Sequence, residues 1–174
     1  MNYFEIADYN PIRSDFEIPG EFQPIRRYQP NVVLTDEVID KLSQLGFQLR
    51  EVQMFTTPPK TFTRIHIDGN SFDSKSAINY VVNGIGAMNW YRLLNSNTKY
   101  SVTEAGTGYM PFNVTDCEKI DGVNLNKLTL VEVCVPHNIS NDSNEYRYCF
   151  SIRYHDNNFD NTFKRLAAWN NLVN

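Results

Sequence analysis

Nine residues near the end of the chain, Tyr146 to Tyr154, restrict the possible folds more than any other segment. They are rich in β-branched and aromatic residues and read as a strand. Side chains alternate between the two faces of a strand. Arg147, Cys149, Ser151 and Arg153 therefore share one face, while Tyr146, Tyr148, Phe150, Ile152 and Tyr154 share the other. The bulky face calls for an apolar layer packed against it. The opposite face carries two guanidinium groups, which a barrel interior serving only as a core would reject. A barrel lined by a charged ligand accommodates both faces.

The rest of the chain agrees with a mainly β architecture. Residues 1–33 read as an irregular wrap punctuated by Pro11, Pro19, Pro24 and Pro30. Thr35 is placed to cap a helix whose apolar face is Val38, Ile39, Leu42 and Leu45, and Gly46 to end it. The pattern then changes to period two. Strands are expected over Phe47–Phe55, Thr61–Asp68, Ala77–Val82, Met88–Leu94 and Leu128–Val135, with a strand or hairpin in Val114–Val123. Asn161 to Val173 reads as a helix docked on the sheet. Short strands at even spacing, bracketed by helices, predict a jelly-roll barrel, a double-stranded β-helix with flanking N- and C-terminal helices. One domain is expected over residues 1–174: a wrap and helix to 46, a jelly-roll core over 47–155, and a helix over 160–174.

Charge and cysteine usage narrow the function. The net charge of −4, with a sequence pI near 5.3, argues against binding bulk duplex DNA. No apolar run approaches a membrane span, and Met1–Glu5 has neither the basic start nor the apolar stretch of a signal peptide. Cys117, Cys134 and Cys149 lack metal-type spacing and read as free thiols of a reducing compartment, so a cytoplasmic location is expected.

Of the three histidines, two fall in a telling pattern. His66 and Asp68 are two apart and converge from one side of a strand, with Ile67 turned into packing. His137 follows a late strand directly after Pro136. Two imidazoles and a carboxylate form a facial triad that suits Fe(II) and leaves open positions, whereas structural Zn prefers more N or S ligands in a closed tetrahedron. His155, beside Asp156, reads as a surface residue, and Asn95–Asn97 and Asn138–Asn144 as solvated rim loops. Arg147 and Arg153 lie about 20 Å apart along an extended strand, at roughly 3.3 Å per residue, so both cannot grip one small carboxylate. Arg147 opens the strand one loop after His137 and is expected nearer the metal.

Several segments together resemble the Fe(II)/2-oxoglutarate-dependent dioxygenases. They are Thr63–Gly69, Ala77–Asn83, Met88–Tyr91, Val135–Asn141 and Arg147–Arg153, so the likeness spans roughly residues 50 to 155. Small viral and environmental members and the aspartyl/asparaginyl and prolyl hydroxylase branches are the most similar. A viral origin would make the compartment the host cytoplasm. The resemblance implies a double-stranded β-helix, Fe(II) held by His66, Asp68 and His137, and 2-oxoglutarate held by the iron and Arg147. It also implies hydroxylation of a prime substrate by O₂ with release of succinate and CO₂. Many relatives place a Ser two residues after the Arg, where this chain has Cys149; Tyr80, Ser151 and Thr129 stay open as the assisting hydroxyl. The prime substrate is left open among protein side chain, nucleotide and metabolite. A cupin-type metal enzyme without 2-oxoglutarate, or a non-catalytic jelly-roll module, are the other two readings.

Overall fold

A computed structural model describes residues 1–95, 99–102, 106 and 108–169. The elements run β1 (Tyr3–Ala7), β2 (Ile25–Tyr28), α1 (Pro30–Val33), α2 (Asp36–Gln44), β3 (Leu49–Thr57), β4 (Thr61–Phe62) and β5 (Ile65–Asp68). They continue β6 (Ser76–Asn83), β7 (Ala87–Leu93), β8 (Ser101–Val102), β9 (Gly108–Phe112), β10 (Cys117–Asn124) and β11 (Leu128–Glu132). Last come β12 (His137–Asn141), β13 (Arg147–Tyr154) and α3 (Phe159–Leu166).

Two antiparallel sheets result. The first has the order β1-β11-β6-β13-β3-β2 and the second β10-β7-β12-β5-β9-β8, with β4 pairing the far end of β12. In chain order, β3, β6, β11 and β13 fall in the first sheet and β5, β7, β10 and β12 in the second. The chain passes repeatedly between the sheets, which is the winding of a double-stranded β-helix. The expected fold class is therefore the observed one.

The alternation in β13 sorts the two sides of the first sheet. Phe150, Ile152 and Tyr154 point outward into a core shared with Val38 and Leu42 of α2 and Phe159 and Leu166 of α3. Thr35 caps α2 as expected, its Oγ accepting from the Val38 amide at 3.4 Å. Inward, the same sheet presents Gln53, Asn79, Thr129, Ser151 and Arg147, all buried. A second apolar cluster that includes Met88, Trp90, Val131 and Val133 fills another part of the barrel interior.

Several elements differ from expectation. The N-terminal wrap contains β1 and β2, which extend the first sheet by pairing with β11 and β3. Their partners are remote in sequence, so local pattern does not announce them. The single strand expected over Thr61–Asp68 breaks at Thr63–Arg64 into β4 and β5. Val114–Asp116 is a 3₁₀ turn ahead of β10. The segment Asn138–Asn144, expected as a solvated loop, instead begins as β12, with Asn138 and Asn141 buried. Asn141 is held by donating to the carbonyls of Thr57, Pro58 and Glu145. The C-terminal helix covers Phe159–Leu166; the part expected over residues 170–173 lies outside the described residues, as do Ser96 and Asn97 of the expected rim loop.

Gly84, in the turn after β6, shows how tightly β13 is held. Its φ is +81°, and a Cβ there would lie 2.7 Å from the Arg147 Cβ and 2.8 Å from its Cα. Gly84→Ala combines a left-handed backbone penalty with overpacking, about 2–4 kcal/mol in all. A urea unfolding midpoint lowered accordingly is the expected result.

Candidate metal centre

The site begins with the pleat of β5. Ile65 and Ile67 are buried on its outer side with Phe112, which turns His66 and Asp68 toward the barrel interior. His137 opens β12 and is the direct cross-strand partner of His66. The two rings sit 4.5 Å apart. Asp68 Oδ1 lies 3.6 Å from His66 Nε2 and 3.9 Å from His137 Nε2. The three ligand atoms fall within 4.8 Å of one another, close enough to hold one metal ion.

Hydrogen bonds prepare these groups. His66 Nδ1 donates to the Arg64 carbonyl at 2.8 Å, and His137 Nδ1 donates to the Val135 carbonyl at 2.9 Å. A carbonyl only accepts, so each neutral ring carries its proton on Nδ1 and leaves the Nε2 lone pair facing Asp68. Burial, followed by the neighbouring His66, pushes the His137 imidazole down to about 4 against the pull of Asp68, which keeps it neutral near pH 7. Burial alone would raise the Asp68 carboxyl. The Arg153 guanidinium and then the two imidazoles outweigh it, and Asp68 ends below the ordinary carboxylate range.

Arg153 Nη2 donates to Asp68 Oδ2 at 3.1 Å. The carboxylate is thus divided: Oδ1 faces the two imidazoles and Oδ2 is held by the guanidinium. This corrects the expectation that Arg147 lies nearer the metal. The reason is β12. It carries the chain away from His137, and β13 returns antiparallel to β6 and β3 in the opposite sheet. Its last residues, not its first, come back to the level of Asp68.

Arg147 lies toward the other end of the same cavity, which has a volume of about 330 Å³. It is fully buried, and its Nε and Nη2 have no hydrogen-bond partner among the described residues. Leaving a buried charge without a counter-charge costs several kcal/mol. Ser151 Oγ and Asn79 Oδ1 line the same space and are likewise buried without partners among the described residues. Of the three hydroxyls left open by the sequence, Ser151 is the one that faces the cavity. Thr129 Oγ donates to the Lys127 carbonyl at 2.9 Å, and Tyr80 packs against the outer core. Cys149 also lines the cavity; burial raises its thiol pKa against the opposing effects of Arg147 and Arg153.

Sequence reading missed Tyr109, on β9, which pairs with Asp68 and stands edge-on to His66 at 6.0 Å. Gly and Pro in β9 hid the strand that carries it. All three cysteines are free, Cys134 and Cys149 being buried. His155 is exposed, as expected. Among the described residues, no helix is long and apolar enough to cross a membrane.

No protein-family model matches the sequence, and no curated protein matches it. Among solved structures, the chain is similar to an oxalate decarboxylase at 15% identity and a TM-score of 0.36, covering 82% of this chain and 29% of that one. The oxalate decarboxylase of Bacillus subtilis at pH 4.6 gives 13% identity and a TM-score of 0.34, covering 87% and 28%. Vicilin from Capsicum annuum gives 14% and 0.38, covering 86% and 33%. The chain spans about a third of the length of these proteins. The fold assignment rests on the strand order described above.

Two outcomes test the site. His66→Ala and His137→Ala should each abolish stoichiometric binding of Fe(II) or Mn(II), measured anaerobically by competition with a chromogenic chelator. Arg153→Gln keeps all three ligands but frees Asp68 Oδ2. It should weaken metal binding by about 10–100-fold, the usual effect of losing a hydrogen-bond partner of a ligand.

Proposed function

We propose that the chain is an Fe(II)- and 2-oxoglutarate-dependent oxygenase that hydroxylates its prime substrate and releases succinate and CO₂. The observation that carries this reading is the buried guanidinium of Arg147, with N–H groups unpartnered among the described residues, in the same cavity as the His66–Asp68–His137 cluster. The cluster offers a mixed imidazole and carboxylate donor set, which fits Fe(II) with open coordination positions. Arg147 offers a planar fork for a carboxylate. Arg147 and the three candidate ligands line one cavity, and the reach of the arginine side chain shortens the separation along the strand, so a dicarboxylate that meets the metal at one end and this guanidinium at the other answers both.

His66, Asp68 and His137 would hold the iron, which when bound with 2-oxoglutarate supplies the oxidative decarboxylation and the hydroxylating power. The remaining roles belong to the protein. Arg153 fixes the unused oxygen of Asp68 and so sets the direction of the other. Arg147 binds the far carboxylate of 2-oxoglutarate, and Ser151 and Asn79 offer further hydrogen bonds along its length. Met88, Val133 and Ile139 form apolar parts of the cavity wall and limit water there. No acid–base or nucleophilic role is assigned to the histidines, because their Nδ1 protons are engaged by backbone carbonyls.

The decisive measurement is an anaerobic titration of 2-oxoglutarate into the Fe(II)-loaded protein, followed by the visible charge-transfer band. Arg147→Gln should weaken binding by 30-fold or more, since losing one partner of a desolvated charged pair costs about 2–5 kcal/mol. Arg147→Lys should restore only part, because it keeps the charge and loses the fork. Circular dichroism of each variant controls for folding. Absence of any spectral change in the unmodified protein, together with no succinate formed in air, would exclude 2-oxoglutarate as co-substrate.

A further inference from the structure

A second, larger cavity of about 910 Å³ lies beside the first and shares Thr63 and Arg64 with it. Its floor includes Ile65, Tyr91, Phe112 and Asn138, on the outer face of the second sheet. Thr63, at the junction, is pinned to β12. Its amide donates to the Ile139 carbonyl at 2.8 Å and its Oγ accepts from the Ile139 amide at 2.9 Å. Arg64 is anchored through its carbonyl, which accepts from His66 Nδ1. Its side chain is exposed and has no ion-pair or hydrogen-bond partner among the described residues. The junction between the metal cavity and the outer groove therefore carries a free guanidinium on a fixed backbone.

The charges around the two cavities are one-sided. Their linings include Arg64, Lys99, Arg147 and Arg153, and the lone carboxylate among the described lining residues is Asp68. Asp68 is already paired with Arg153. In a chain of net charge −4, the outer groove carries Arg64 and Lys99 and, among its described lining residues, no carboxylate, a local reversal of sign. Such a reversal concentrates and orients anions. A dicarboxylate held at Arg147 does not use Arg64 or Lys99.

From this we infer that the outer groove is a second binding site, separate from the metal cavity, and that its ligand is an organic anion. Its carboxylate or phosphate sits on Arg64, with Lys99 adding charge, and its apolar body lies along Phe62, Tyr91 and Val114. The inference does not depend on the oxygenase reading, since the binding requires neither metal nor 2-oxoglutarate.

The test uses the full-length ¹⁵N-labelled chain with no added metal or co-substrate, so its failure is separate from failure of the 2-oxoglutarate titration. Phenyl phosphate, phenylacetate and the neutral 2-phenylethanol are titrated in parallel and followed by amide shifts. At least one of the two anions should shift Thr63–Ile65 and Asn138 and bind at least tenfold more tightly than the alcohol, the usual scale of a charge-assisted hydrogen bond. The tighter anion identifies the head group as phosphate or carboxylate. Arg64→Gln should weaken it at least tenfold, Arg64→Lys less, and 0.5 M NaCl should weaken it in the unmodified chain. Equal binding of the alcohol, no binding of any probe, shifts confined to the Arg147 and Ser151 region, or an unchanged affinity in Arg64→Gln would each overturn the inference.

Discussion

A guanidinium enclosed in a barrel is the constraint around which this structure is organised. Arg147 is fully buried, and the cost of taking its charge from water is balanced only by a counter-charge or a dense set of acceptors. The protein supplies few of either. Instead, the cavity that Arg147 lines also holds Ser151 and Asn79, whose side-chain oxygens lack partners among the described residues. A core made for stability alone would have an apolar side chain in that place, which is often neutral or better for folding. On the proposed reading, the retained charge serves binding at the expense of packing.

The outer layer makes that arrangement tolerable. Because β13 turns Phe150, Ile152 and Tyr154 away from the barrel, the first sheet is anchored by apolar contacts with the helices and not by its interior face. Stability and function are placed on opposite sides of the same strand. A change of one residue in register would exchange them, putting aromatic rings into the cavity and arginines into the core. Pairing with β3 and β6 on both flanks over most of its length holds β13 against such a slip.

Much of this was legible in the sequence because it is local. Alternation along Tyr146–Tyr154 and the His66–Asp68 spacing each need only a strand to be interpreted. The helix capped by Thr35 is likewise announced by its own residues. The elements that escaped notice depend on distant partners: β1 and β2 form by joining sheet edges, and β12 consists of His-Asn-Ile-Ser-Asn, a poor strand sequence by propensity. Burial of its asparagine side chains, hydrogen-bonded by remote backbone and side-chain groups, overrides that preference. Missing β12 also reversed the order of Arg147 and Arg153 relative to Asp68, since an unseen strand reverses the direction of whatever follows it. Ser151 could be separated from Tyr80 and Thr129 only once the sheet faces and hydrogen bonds were known.

The out-and-back path of β12 and β13 also makes the cavity a ruler. The distance between the carboxylate end at Asp68 and the guanidinium at Arg147 is set by how many residues β13 places between Arg147 and Arg153. Inserting one residue would turn one of the arginines out of the barrel. Inserting two would keep both inward and lengthen the span by about 6.6 Å, at roughly 3.3 Å per residue. If a ligand spans these two ends as proposed, its length would change in steps of two residues rather than continuously. A related chain with a longer interval between the two arginines would be expected to grip a correspondingly longer molecule.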